Sequence, residues 1–327
     1  MAPPRALAIL AVVLSTLLGD WLDSRRLFLL HRIHGASIGD TLTATAFMRG
    51  VHQQTGRRFI VASKYPEIFR NNPLVVNNIG VGELGPFLKP LLKSVLRRAR
   101  HRSIGEHGYR PPAHFTEDDI ARDHRRRISE TEFCAEVLAA QWGVQVDYSR
   151  LLPEIYFDDL ELDALQGKFA LPPGYGVIRP LGPMTYSPNR EWIVARYQEV
   201  VRRTPWIVWV QPGTPSEPAL EGAIDLRGKA DVRELFYIIR GAAGVLAGEG
   251  LPNHVAAAFG VPSFVVFSGF NHIELSLYPN TIPIARSPQV ECAPCWKRSP
   301  CPVPGKPCTG DITVDQVVAT LEQRWRR

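Results

Sequence analysis

The sequence predicts an α/β protein built from two Rossmann-like halves, and three observations predict it. Short apolar runs closed by Gly or Pro (VIRPLG, WIVWVQPG, PSFVVFSG) read as parallel strands covered on both faces, which need no polar alternation. Helical patterns lie between these runs, and alternating strand and helix is the signature of a parallel sheet. The chain's 327 residues exceed what one core usually holds, so length alone asks for two domains. With 45% apolar and 21% charged residues, a disordered or fibrous chain is excluded.

The elements follow in order. Residues 1–24 are an apolar N-terminal extension whose run ALAILAVVLSTLL is shorter than the ~20 residues that span a bilayer. It lacks an A-x-A cleavage site, and its readings are a signal core, an interfacial anchor, a packed helix or a piece outside the fold. The first domain, 25–170, opens with strand LFLL, a Gly-punctuated turn HGASIGD, and a helix with apolar Leu42, Ala46, Phe47 and Val51. RRFIVAS and NNPLVVNNIG give the second and third strands. From Gly82 to Arg127, Pro, Gly and Arg dominate, which predicts loops and short helices. SETEFCAEVLAAQWG is a helix with a Ser129–Glu132 capping box and a buried Cys134.

Pro172-Pro173-Gly174 marks the boundary to the second domain, 171–327. There YGVIRPLG, PWIVWVQPG, AIDLRG, GVLAGEG and PSFVVFSG are extended pieces. NREWIVARYQEVVRRT, ADVRELFYIIRGA, NHVAAAFG and ITVDQVVATLEQRW are helices. Neither half carries G-x-G-x-x-G between strand and helix, which argues against a nicotinamide-dependent oxidoreductase.

The formal charge is +6, with a dense basic stretch from Arg97 to Arg127. Such a stretch is a solvated surface loop or an attractor for an anionic membrane surface or phosphorylated glycolipid. Nucleic acid ranks last, because no helix-turn-helix, zinc-finger or RNP signature is present.

Several blocks resemble glycosyltransferase family nine, the ADP-heptose:lipopolysaccharide heptosyltransferases. They are HGASIGDTLTATAFMRG, PNREW, QPGTPSE, DLRGKADVREL and GEGLPNHVAAAFGVPSFVVFSG, followed by a C-x-x-C segment before the terminal helix. The resemblance implies a GT-B fold, two facing Rossmann-like domains with an interdomain cleft. The first half would take a glycan or glycolipid acceptor and the second a nucleotide-sugar donor, ADP-heptose or similar. It further implies inverting transfer without a catalytic metal, in the cytoplasm, and the basic stretch adds a place peripheral to the inner membrane. A noncatalytic nucleotide-sugar-binding module on the same fold is the alternative.

Inverting transfer needs a base for the acceptor hydroxyl and positive charge or N–H dipoles for the departing diphosphate. Asp40 stands where the first turn meets its helix; it is the N-cap of a helix beginning at Thr41 or, by resemblance, the general base. Gly35, Ser37 and Gly39 form the turn beside it on the acceptor side. On the donor side, Gly250, Asn253 and His254 open a helix whose N-terminus suits a diphosphate. His254 bonds a phosphate or caps its own helix. Arg190 suits a phosphate clamp or is an exposed arginine at a helix start. By resemblance Lys229 joins the donor site, and Glu217 and Glu249 accept ribose hydroxyls. Two departures from the family stand out: Glu249-Gly250-Leu251-Pro252 replaces an Asp-Ser/Thr-Gly block, and Arg190 replaces a Lys. Cys292, Cys295, Cys301 and Cys308 suit a structural zinc or iron, with disulfides or free thiols as the other readings.

Overall fold

The computed structural model describes Trp21, Arg25 and residues 27–32, 37–80, 103–104, 151–180 and 187–325. The apolar leader, the basic stretch apart from Ser103–Ile104, the Ser129–Glu132 box, Cys134 and Gly35 lie outside the described residues. No helix among the described residues is long and apolar enough to cross a membrane. The chain divides into two compact units, Met1–Tyr109 with Thr131–Phe157, and Arg110–Glu130 with Asp158–Arg327.

The first unit holds β1 (Leu27–Arg32), α1 (Ile38–Thr55), β2 (Arg58–Ser63), β3 (Val75–Gly80) and β4 (Ser103–Ile104). Its sheet is parallel, in the order β3-β2-β1-β4. β4 falls within the stretch read as loop and is only two residues long, too short for a periodic signal. Leu42, Ala46, Phe47 and Val51 of α1 are buried as their spacing predicts, and Thr41 and Thr45 join them. Gly56, at φ 65°, ends the helix in the left-handed conformation, its N–H bonded to the His52 carbonyl. Residues 154–156 lie against α1. Glu154 N–H donates to Thr45 Oγ1 at 2.7 Å, and the Arg49 guanidinium holds the Glu154 carboxylate at 2.8 Å.

The second unit opens with α2 (Asp159–Lys168), capped by Asp158, whose carboxylate accepts from Glu161 N–H. Then come β5 (Gly176–Arg179), α3 (Val194–Arg203), β6 (Trp209–Gly213), β7 (Ile224–Arg227), α4 (Val232–Arg240) and β8 (Gly244–Gly248). They are followed by α5 (Leu251–Phe259), β9 (Ser263–Val266), β10 (Thr281–Ile284), a short α6 (Pro307–Gly310) and α7 (Val314–Trp325). The Glu161 carboxylate takes two bonds from the buried Arg233 guanidinium of α4, which explains why α2 belongs to this unit. All six strands are parallel, in the order β10-β9-β8-β5-β6-β7. Trp192, Tyr197, Trp209, Leu246, Phe264 and Leu321 centre the core. Gly176 and Gly244 pair across β5 and β8, and a Cβ on either would meet the Trp325 ring at 2.7 or 2.6 Å. The two glycines therefore form the floor on which the terminal helix places its tryptophan.

Several elements differ from the sequence reading. The helix expected from NREWIVARYQ begins only at Val194, because Pro188–Arg190 form a separate 3-10 turn with Trp192 buried after it. β10 was not among the extended pieces read from the sequence; it contains Pro283, and as the edge strand it tolerates the missing N–H.

In each sheet the strand order reverses once, between β1 and β4 and between β5 and β8. Ligands of open parallel sheets bind at the carboxyl ends of the strands beside such a reversal.

Candidate functional site

Asp40 stands just beyond the carboxyl end of β1, in the first turn of α1. The helix starts at Ile38 rather than Thr41, so the N-cap is Ser37 and Asp40 is the third helical residue. The pair forms a capping box: Ser37 Oγ accepts from Asp40 N–H at 3.2 Å, and Asp40 Oδ2 accepts from Ser37 N–H at 2.9 Å. Gly39, expected in the turn, is instead a buried residue of the first helical turn. Asp40 is half-buried, and among the described residues its Oδ1 has no hydrogen-bond partner. One carboxylate oxygen thus fixes the side chain through the capping box.

At the second reversal, the carboxyl ends of β5, β6 and β8 present Arg179, the Glu217 turn and Glu249. Adjacent strands lie about 4.8 Å apart, so these three groups span roughly 10 Å. Glu217 is 5% exposed and lies in the turn after β6. Its Oε1 accepts from Thr214 N–H at 3.0 Å and from Arg179 Nη2 at 3.2 Å, while Oε2 is buried without a partner. Gly213 makes room for it, since a Cβ there would come within 2.5 Å of Oε2. The backbone carbonyl of Glu217 accepts from the Arg227 guanidinium. That guanidinium also binds Asp225 and, chiefly by this hydrogen bond, pulls its carboxyl down to about 2.

Arg190 is not an exposed helix-start residue. It ends the 3-10 turn, donates from Nη2 to the Glu249 carbonyl at 2.8 Å, and lies 5.7 Å over the Phe270 ring. Its Nε is buried and unpartnered. Glu249 is 1% exposed, and both carboxylate oxygens are taken by the protein. Oε1 accepts from Ser268 N–H and Oγ at 2.8 Å each, and Oε2 accepts from Asn271 Nδ2 at 2.9 Å. Burial raises the Glu249 pKa, against the opposing pull of Arg190 and of the Ser268 and Asn271 bonds.

α5 begins at Leu251, two residues earlier than its NHV pattern suggested, with Pro252 in its first turn. Gly250, at φ 141°, is its N-cap, a backbone conformation that side chains avoid, and no side chain caps the helix. Asn253 and His254 therefore lie inside the first turn rather than opening it. Asn253 is fully buried: its Nδ2 donates to the Ser276 carbonyl and its Oδ1 accepts from Thr281 Oγ1. His254 does not cap its helix; its Nδ1 pairs with the Tyr278 hydroxyl at 2.7 Å. Lys229 is exposed and donates to the Asp225 carbonyl, outside the group formed by Arg179, Arg190, Glu217 and Glu249. Arg179 is the residue that sequence reading missed, although an Arg closing an apolar strand was the signal.

The four late cysteines are free thiols in one segment, with Cys292 exposed. Burial raises the Cys295 thiol pKa, and the charges of Cys308, Cys292 and Cys301 add to the rise. Among the described residues, however, no group of three or more His, Cys, Asp or Glu could hold a metal ion. The expected four-thiolate centre is therefore not assembled at ligating distance. Cys295 is half-buried, its backbone N–H on the Gly269 carbonyl, while Cys292 is exposed.

No sequence-family model matches the chain, and no curated protein matches it by sequence. Solved structures do match its fold. The ADP-heptose LPS heptosyltransferase II of E. coli aligns with a TM-score of 0.63 at 14% identity, over 91% of this chain and 98% of that one. A family 9 glycosyl transferase of Veillonella parvula gives 0.65 at 15% identity, over 91% and 97%. TibC, an iron-containing dodecameric glycosyltransferase of enterotoxigenic E. coli, gives 0.64 at 14%, over 91% and 76%. The chain thus has the α/β fold of these glycosyltransferases, as its sequence blocks predicted.

Proposed function

We propose that the chain is an inverting glycosyltransferase, moving heptose or a similar sugar from a nucleotide-sugar donor to a hydroxyl of a glycan or glycolipid. One observation carries the reading. Arg179 Nε, Arg190 Nε, Glu217 Oε2 and Asn271 Oδ1 are four buried polar atoms without partners among the described residues, gathered around the carboxyl ends of the second sheet beside its reversal. Buried polar atoms are rarely left unpaired, and a donor and acceptor set of this kind suits phosphate and ribose hydroxyls. The fold likeness supports the same assignment.

In this reading Arg190 takes the diphosphate together with the uncapped N-terminus of α5 at Gly250. Glu217 accepts the ribose hydroxyls through Oε2. Glu249 and Asn253 are positioning residues: Glu249 fixes Ser268, Asn271 and the Arg190 guanidinium, and Asn253 fixes the 276–281 turn. Lys229 and His254 stand at the margin of the donor region. Asp40, through Oδ1, removes the acceptor hydroxyl proton as that oxygen bonds to the anomeric carbon. The bond from that carbon to the phosphate oxygen breaks, and the nucleoside diphosphate leaves with its electron pair. The cysteines as placed do not fit a metal ion, and no step requires one. The basic stretch is read as an attraction to anionic glycolipid or membrane, so liposome co-sedimentation should fall as salt rises.

A thermal-shift panel of ADP, GDP and UDP sugars against NADH tests the reading. A rise with one sugar nucleotide and none with NADH is expected. Stabilisation by NADH alone overturns it.

A further inference from the structure

We infer that the cysteine-bearing segment 292–312 is a brace that holds Arg190 in its phosphate-binding position, with Asn189 and Lys306 as its positioning residues. The inference rests on the donor role proposed for Arg190. The turn that carries this arginine is too short to support itself, since Pro188–Arg190 is a single 3-10 turn. It is held instead by the far segment. Asn189 is 3% exposed and donates from Nδ2 to the carbonyls of Lys297 and Ser299, both at 2.8 Å. Ser187 Oγ donates to the same Lys297 carbonyl at 2.7 Å. From the other direction, Lys306 Nζ donates to the carbonyls of Pro188 and Glu191 at 2.9 and 2.7 Å. Just beyond, Trp192 Nε1 and the Arg196 guanidinium bind the carbonyls of Thr309, Gly310 and Ile312.

The same segment grips the loop that lies under Arg190. Cys295 N–H donates to the Gly269 carbonyl at 2.9 Å and Trp296 N–H to the Phe270 carbonyl at 3.2 Å. Gly269 is packed so closely that a Cβ there would meet Cys308 Cβ at 2.9 Å and Ala293 Cβ at 3.1 Å. Phe270 is the ring under the Arg190 guanidinium, and Ser268 and Asn271 bind the Glu249 carboxylate. One segment thus fixes both the arginine's backbone and the surface its side chain rests on. A side-chain amide or ammonium that satisfies two carbonyls of the facing chain piece fixes the distance and orientation between its own piece and that one, which a lone backbone bond would not. Holding a guanidinium in place removes the ordering cost from anion binding.

The test compares binding of a nucleoside diphosphate with that of its parent nucleoside by calorimetry, using whichever of ADP, GDP or UDP binds the full-length chain most tightly. Asn189→Ala and Lys306→Met should each weaken the diphosphate about tenfold, the loss of one charge-assisted bond. Nucleoside affinity should stay within about twofold. Lys306→Arg, which keeps two donors, should restore diphosphate binding. Equal weakening of both ligands, or no effect where Arg190→Ala does weaken the diphosphate, overturns the brace. If Arg190→Ala itself leaves the diphosphate unchanged, the donor assignment of Arg190 fails instead.

Discussion

The two sheet reversals are built alike and finished differently. At the first, a single carboxylate stands half-buried on a helix end, held through one oxygen by its own capping box. At the second, Glu249 is sealed inside, Arg190 is held over Phe270, and Glu217 is pinned by Arg179 and Thr214. The contrast follows from the tasks proposed for them. A base must reach a substrate proton and change its own charge, so it needs an open face. Groups that stabilise a departing diphosphate act best when fixed beforehand in a water-poor setting.

The sharpest way to break this contrast is Asp40→Asn. Asparagine retains an acceptor for Ser37 N–H, so transfer should drop about a thousandfold while nucleotide affinity and melting temperature hold. Retained transfer, read by release of nucleoside diphosphate, would refute the base. Next is Glu249→Ala, which strands Ser268 and Asn271 and should cost about 3 kcal/mol in chemical unfolding. Burial raises the Glu249 pKa above its ordinary 4.5, so the native state binds the extra proton. The stability this proton confers is complete below that ordinary value and is lost as pH rises through the raised one. Glu249→Gln should flatten that part of the pH–stability curve, and an unchanged slope would show that Glu249 does not cause it. A smaller effect is expected of Gly213→Ala, whose Cβ would lie 2.5 Å from Glu217 Oε2. Nucleoside affinity should fall about tenfold in calorimetry, with the diphosphate contribution unaltered. Smallest is Ser37→Ala, which removes a cap and should cost about 1 kcal/mol, a shift of roughly 3 °C in melting.

Much of the fold was legible because its signals are local. The apolar strands LFLL, YGVIR and PSFVVFSG, and the apolar stripe of α1, each carry their pattern within a few residues. β10 was missed because its proline is acceptable only on an edge, and edge position belongs to the sheet rather than to the segment. The site divides the same way. Asp40 and Arg190 could be singled out from their place after a strand or before a buried tryptophan. The enclosure of Glu249, the inward turn of Asn253 and the pairing of Arg179 with Glu217 depend on loops far apart in sequence.

The amino-acid order by itself determined the class of fold, most of the succession of strands and helices, and the candidate residues proposed for the site, because periodicity and turn residues act over short spans. Only the tertiary structure decided which of those residues remain open to a ligand and which are spent on holding others. Burial and hydrogen-bond saturation are properties of what the folded chain brings alongside, such as the contacts that tie residues 292–312 to Asn189 and Gly269.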